Sequence, residues 1–475
     1  MSRVAIIGGG FTGLAAALEL ASRGVGVTVL EADAEVGGLA GSFEVGGTRL
    51  EKFYHHWFTS DTHVTDLVRE LGQEGQVLHR ETRTGMYFAN RRFRLSSPLD
   101  VLRFSPLRPI DRLRLGLLAL RARRVGDWRR LEGLTAEEWL VELGGRAVYD
   151  VVWQPLLEGK FGEHAGEVSA VWFWNKLKLR GGSRGRGGAE VLAYYRGGFA
   201  ALADQLARAI ERAGGVIRTG TAATGLSVRE GTVSGVATRE GIVPADAVIA
   251  TPALPTVAGL VAPHTPAGYA DSLRRIKYLA NLCVVLELDR SLSETYWLNV
   301  NEPGFPFVGV IEHTNFEPPE SYGGRHLVYL SKYLPETAEL YRMADDDVLA
   351  YCLPHLTRMF PAFDAAWIHA AHVWRARYAQ PIVERHYGDL IPSVETPLGG
   401  LYLSTMAQVY PEDRGTNYAI REGRKTGRLV AESLGAAPQP SQRTRTMRHS
   451  SEALAPAGLG PSIRATSVSP PAARR

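Results

Sequence analysis

The chain has 475 residues, of which 22% are charged and 45% hydrophobic. That composition excludes fibrous, collagen-like and wholly disordered classes, and the length suits roughly two to four domain-sized units. The net charge of +4 is uneven: residues 436–475 hold six Arg, one Glu and six Pro, which leaves the body near −1. Such a segment cannot bury enough apolar area to fold and reads as a disordered basic tail. The body has no basic excess to support nucleic-acid binding.

Cys283 and Cys352 are the only cysteines. They supply neither a disulfide framework nor a Cys-rich zinc site, and read as buried thiols in a reducing, cytoplasmic setting. Nowhere does an apolar run approach the ~18 residues of a membrane span. The run Val4-Ala5-Ile6-Ile7 is too short for the core of a signal peptide.

In chain order, residues 4–7 predict a parallel strand buried on both faces. Gly8-Gly9-Gly10-Phe11-Thr12-Gly13 follows and matches G-x-G-x-x-G. A helix is expected over 14–23, closed by Gly24, then a second strand over 27–30 with Glu31 at its end. Gly8 permits a tight turn, Gly10 lets backbone N–H groups approach a pyrophosphate, and Gly13 lets helix and sheet pack closely. The helix N-terminus adds unpaired N–H donors and partial positive charge. Glu31 can accept hydrogen bonds from an adenosine ribose and would repel a 2′-phosphate. Strand, turn, helix, strand and acid in this order predict dinucleotide binding.

Gly37-Gly38-Leu39-Ala40-Gly41-Ser42 brings a second glycine doublet soon after Glu31, a second close backbone approach that an ordinary NAD site does not need. With it the segment resembles the flavin-containing amine oxidase superfamily, which includes protoporphyrinogen oxidases, phytoene desaturases and, more distantly, UDP-galactopyranose mutases. The resemblance implies non-covalent FAD, with Gly8, Gly10, Phe11, Thr12, Gly13, Glu31, Gly37, Gly38 and Leu39 around it. It recurs at Tyr195-Arg196-Gly197-Gly198-Phe199 and the helix and strands that follow, where residues near Ala222-Ala223 would touch the adenine. It recurs again at Gly415-Thr416-Asn417-Tyr418-Ala419-Ile420, where a helix N-terminus would meet the flavin pyrimidine edge. Gly415, Thr416, Asn417 and Ile420 are the candidates there. Many members carry Gly-Asp at the end of the preceding strand, where this chain has Ser404-Thr405.

The expected fold class is α/β with α+β inserts. A Rossmann-type FAD domain in three pieces (1–55, 190–255, 395–435) is interrupted by a sheet-plus-helices substrate domain (56–189 and 256–394). The expected function is an FAD-dependent dehydrogenase, desaturase or oxidase that takes a hydride from a C–H or C–N bond of a large, partly apolar substrate. A redox-neutral mutase-like flavoprotein acting on a nucleotide sugar or lipid-linked sugar is the alternative, and a non-catalytic FAD protein a third reading.

Among other motifs, Glu51-Lys52-Phe53-Tyr54-His55-His56-Trp57-Phe58 is similar to the galactopyranose mutase segment carrying a flavin-facing histidine. That match makes His56, rather than His55, the ring-facing residue, with Tyr54 beside it as the second catalytic candidate. Adjacent histidines on an extended chain point to opposite faces and cannot share a metal. His369 and His372 lack a third ligand at useful spacing, so no metal site is expected. Gly181-Gly182-Ser183-Arg184-Gly185 matches G-x-S-x-G without the strand and helix a nucleophile elbow needs. Trp172-Phe173-Trp174 reads as core. Residues 91–130 hold twelve Arg against Asp100, Asp111 and Asp127, interleaved with Leu, Ile and Phe. This pattern reads as a solvated basic face, or as a surface that binds a phosphorylated substrate or docks on anionic lipid, the last of which would place the protein peripherally on the inner face of a membrane.

Overall fold

Short apolar strands that bury both faces build a five-stranded parallel sheet. Its order is Val216–Arg218, Gly26–Leu30, Arg3–Ile7, Ala247–Ala250 and Leu401–Leu403, and every neighbouring pair is parallel. The strands come from chain segments nearly 400 residues apart. The computed structural model describes residues 2–94, 98–182 and 190–436. The expected tail beyond Ala436, and residues 183–185 of the G-x-S-x-G match, lie outside that range.

Alternation along the central strand decides what packs where. Val4 and Ile6 join Leu14 and Leu18 of the helix Phe11–Ala21, with Val430 of the closing helix Thr416–Ser433. Ala5 and Ile7 join Val257 of the helix Leu254–Val261 and Val236 of the antiparallel meander on the opposite face. The first helix, expected over 14–23, starts at Phe11, directly after Gly10.

A seven-stranded sheet stands beside this layer, in the order Ile368–Pro381, Tyr278–Leu288, His326–Leu334, Gly309–Glu312, Trp297–Val300, Thr84–Phe88 and Arg91–Arg94. Leu282, Val284 and Leu330 pack on Val348 and Leu356 of the helix Asp345–Met359. The alternate residues Cys283, Val285 and Tyr329 join the core that holds the first helix, so one face of the large sheet is continuous with the core of the parallel sheet. Cys283 and Cys352 are both buried and unpaired.

His369 and His372 lie on the strand Ile368–Pro381 and find separate partners, Arg325 at 2.9 Å and Glu287 at 2.8 Å. The helices Pro98–Arg103, Pro109–Arg123, Ala136–Gly144, Gln154–Phe161 and Ala170–Gly182 complete the fold. Trp172, Phe173 and Trp174 are buried among them. Among the described residues no helix is long and apolar enough to cross a membrane.

Candidate functional site

The first glycine loop is shaped by two different constraints. Gly8 sits at φ +104°, a region that favours glycine, and it donates its N–H to Leu30 O at 2.8 Å. A Cβ on Gly13 would stand 2.0 Å from Gly8 O, so helix–loop packing forbids a side chain there. Gly10 is different. Its φ of −73° suits any residue, and an added Cβ would approach only Gly38 Cα, at 3.7 Å. Neither backbone conformation nor protein packing requires glycine at position 10, which leaves space for a ligand as the reason. Gly415 has the same character: its backbone is extended, and an added Cβ would meet nothing within 4 Å.

The first intrahelical bond is Leu14 N–H to Gly10 O, at 2.9 Å, so the amides of Phe11, Thr12 and Gly13 have no partner one turn back and form an anion-receptive helix start. Phe11 itself turns into the core against Phe199. The second doublet closes over this loop: Gly37 donates to Gly9 O at 2.9 Å, and Gly10 and Gly37 form a parallel bridge. Leu39 lies in the 3-10 turn Gly38–Ala40. Glu31, 8% exposed, is oriented by the N–H groups of Gly9 (2.6 Å) and Asp33 (2.9 Å). Two bonds leave a carboxylate free lone pairs for a diol. Ala223 is brought alongside, because Thr221 donates to Glu31 O at 2.7 Å and Gly220 to Asp33 O at 2.8 Å.

At the other end, Ser404 terminates the strand Leu401–Leu403. Its Oγ is buried with no hydrogen-bond partner, a costly state that a bound hydroxylated chain would relieve. The closing helix starts at Thr416. Asn417 accepts the Val64 N–H at 3.1 Å and Ile420 is fully buried in the core, so these two side chains fasten the helix, while the first-turn amides before Ala419 have no partner one turn back.

The closing helix lies against the first helix because Gly423 and Gly427 let it: Cβ atoms there would stand 2.2 Å from Thr12 O and 2.9 Å from Ala16 O. The glycine pair four residues apart on one helix was a signal in the sequence, and sequence reasoning passed over it.

Tyr54 and His56 both lie against Trp297 but take different hydrogen-bond partners. Tyr54 packs on Trp297 and Tyr329, 4.9 and 6.1 Å between centroids. Its hydroxyl bonds to Ser331 and Tyr333, and burial pushes its pKa well up, so it stays protonated. His56 has its Nδ1 2.9 Å from Tyr296 OH and lies among Phe58, Trp297 and Phe316. His55 lies against Phe199, with Nδ1 2.6 Å from Phe53 O. Burial pushes its pKa down to about 4, the Phe53 carbonyl opposes this, and Arg414 adds to it. The positive charge of Arg414 therefore reaches His55.

Sequence reasoning also passed over Asp413 and Arg414, just before that tip. Asp413 takes Lys176 Nζ at 2.5 Å and Gln380 Nε2 at 3.2 Å. Arg414 donates to Tyr333 OH at 2.9 Å. Among the described residues no group of His, Cys, Asp and Glu could hold a metal ion.

A glycine-bounded helix start, an acid oriented by the Gly9 and Asp33 amides and a second helix tip beside an aromatic sheet face make up a dinucleotide-binding type of fold. A family model for flavin containing amine oxidoreductases matches residues 11–431, and the chain belongs to that family. Zeta-carotene desaturase from Arabidopsis thaliana is 29% identical over 180 residues, covering 32% of each chain. This chain therefore spans about a third of the length of the curated relatives it matches first. A protein from Exiguobacterium sp. 255-15 provisionally named a protoporphyrinogen oxidase superposes with a TM-score of 0.73 at 18% identity, over 91% of this chain and 99% of that one. Reduced UDP-galactopyranose mutase superposes with a TM-score of 0.70 at 15% identity, over 94% and 98%. FAD is the cofactor of this class, and the residues present fit it: open space at Gly10 and Gly415, unpaired amides at Phe11, Thr12 and Gly13, the oriented Glu31, and the partnerless hydroxyl of Ser404.

Proposed function

We propose that the protein oxidises a C–H or C–N bond of a large, partly apolar substrate. The observation that carries this reading is the aromatic face of the large sheet, Trp297, Tyr329 and Tyr333, on which Tyr54 packs and which meets the closing-helix tip through the Arg414–Tyr333 bond. Bound FAD would supply the electron acceptor. The chain's own groups have other tasks. The first-helix amides and Glu31 hold the adenine half, Ser404 and the closing-helix tip hold the other half, and the aromatic face orients substrate and excludes water. Tyr54 keeps its proton and can donate a hydrogen bond there. Anaerobic addition of amphiphilic amines, acids and isoprenoids to the yellow protein should bleach the flavin with one of them. Turnover only by previously reduced protein, with no net electron flow, would replace this reading with the mutase alternative.

The same reading includes docking on anionic lipid. Six of the nine exposed large hydrophobic residues among those described are Leu99, Leu102, Ile110, Leu113, Leu117 and Leu120. Four of them form one stripe on the helix Pro109–Arg123, whose opposite face, Leu115 and Leu118, is buried. Exposed Arg103, Arg108, Arg121, Arg123 and Arg124 surround the stripe, which gives it the charge of a partner for anionic headgroups. Burying these half-exposed side chains is worth about 1 kcal/mol each. Flotation with anionic vesicles should fall with salt and be lost in the triple variant I110S/L113S/L117S at unchanged melting temperature. Equal flotation with neutral vesicles would refute lipid docking.

A further inference from the structure

We propose that Asp61 is the catalytic base of the oxidation: its carboxylate takes the proton from an N–H or O–H group on the carbon that loses hydride, so the substrate is an amine or an alcohol. The proposal rests on the oxidoreductase reading and names its substrate class.

Asp61 stands at the N-cap of the helix Thr62–Glu70. An aspartate there ordinarily accepts an N–H from the first turn of its own helix, yet this side chain makes no such bond. Its Oδ2 turns back to the Phe58 N–H at 2.9 Å, while Oδ1 has no hydrogen-bond partner among the described residues. The residue is 6% exposed, and a carboxylate oxygen so enclosed is costly to leave without a proton donor.

The carboxylate lies at the closing-helix tip. The helix it caps is fastened there by the bond from the Val64 N–H to Asn417. Burial first and the Asp61 charge next push the phenol of Tyr418 up, which puts Asp61 near the first turn of the closing helix. Lys176, on the helix Ala170–Gly182, acts on Asp61 and bonds to Asp413 just before the tip, at 2.5 Å. Burial pushes Asp61 up to about 6, against the Phe58 N–H and Lys176. At neutral pH it is therefore mostly ionised and free to accept a proton, yet basic enough to hold one, the balance a general base needs. Its neighbours lack that balance. At Asp413 burial also works against ionisation, but Lys176, Lys160 and Arg414 hold the carboxyl well below the usual range, and Tyr54 keeps its proton.

The step balances without a further reagent. With X as the substrate N or O, the X–H bond breaks as its proton passes to Asp61 Oδ1. The electron pair of that bond becomes the second carbon–X bond, and the hydrogen on the carbon leaves with its own pair to bound FAD.

The test uses the full chain reconstituted with FAD and mixed anaerobically with decylamine, decanol or squalene. Decylamine or decanol should bleach the flavin at a rate that rises through about pH 6 and then levels, and the effective probe identifies X. D61N keeps an acceptor for the Phe58 N–H; it should slow bleaching at least about a hundredfold and lose the inflection. Formate should restore part of the rate in D61A. D66N, on the exposed side of the same helix, should match wild type. In the apo protein the urea midpoint of D61N should exceed that of wild type at alkaline pH, and the gap should close as falling pH protonates native Asp61. The proposal is overturned if D61N bleaches within about tenfold of wild type, if its loss follows weakened FAD binding, or if squalene alone bleaches the flavin, because squalene has no N–H or O–H to give up. That last result would leave the parent oxidation standing; a yellow wild type bleached by none of the three would defeat the parent reading and the base with it.

Discussion

Gly10 and Gly13 are three residues apart in one loop, yet alanine should act oppositely at the two positions. At Gly13 the new Cβ would lie 2.0 Å from Gly8 O. Backbone cannot step aside cheaply, and overpacking of this kind costs about 1–3 kcal/mol, of which alanine's helix preference returns at most about 1. At Gly10 the nearest atom to the new Cβ is 3.7 Å away, so the apo fold should lose no more than about 1 kcal/mol, the difference between glycine and alanine at a helix N-cap. The methyl would occupy the space through which the helix amides reach a diphosphate. Losing two hydrogen bonds to a charged group, at about 1.5–3 kcal/mol each, weakens FAD binding roughly a hundredfold or more. The assay pairs apo-protein melting with FAD titration by fluorescence quenching. G10A should melt near wild type and fail to hold FAD; G13A should melt early. Binding of FAD by G10A within threefold of wild type would refute the assignment of that space to the cofactor.

Three further outcomes follow from the geometry. G423V should destabilise the apo protein by at least about 3 kcal/mol, because its Cβ would meet Thr12 O at 2.2 Å across the helix pair. G116A, in the helix Pro109–Arg123 with open space around it, should stabilise by about 0.5–1 kcal/mol; equal effects in denaturant melts would contradict the packing. Burial pushes His313 down to about 3 and His55 down to about 4, the latter opposed by the Phe53 carbonyl and helped by Arg414. The unfolded chain therefore takes up protons first, near pH 6.5. Stability held above that pH should drain away as pH falls towards about 4 and below. The urea midpoint of apo protein should drop more steeply between pH 6.5 and 4 in wild type than in H55Q, and parallel slopes would count against a neutral buried His55.

The glycine loop and its flanking strands were legible because their constraints are local. A tight turn, a buried apolar run and an acid at a strand end are each written in consecutive residues. The helix boundary moved from residue 14 to Phe11 because Gly10, not the first leucine, caps the helix. The side chains of Asn417 and Ile420 are placed by tertiary packing, Asn417 by its bond to the Val64 N–H and Ile420 by the core that holds the first helix. Interleaved Leu and Arg announced an amphipathic segment, but not that Leu115 and Leu118 would be buried while Leu113 and Leu117 remained exposed.

By itself, the sequence determined the strand–glycine loop–helix start, the acid at the end of the second strand, and the existence of a second helix tip. Only the tertiary structure decided that Tyr54 and His56 take different hydrogen-bond partners, that the charge of Arg414 reaches His55, and that Lys160, Lys176 and Arg414 act together on Asp413. Periodicity fixes which way a side chain leaves its own element; which charges share a space depends on how distant elements pack, and no local pattern carries that information.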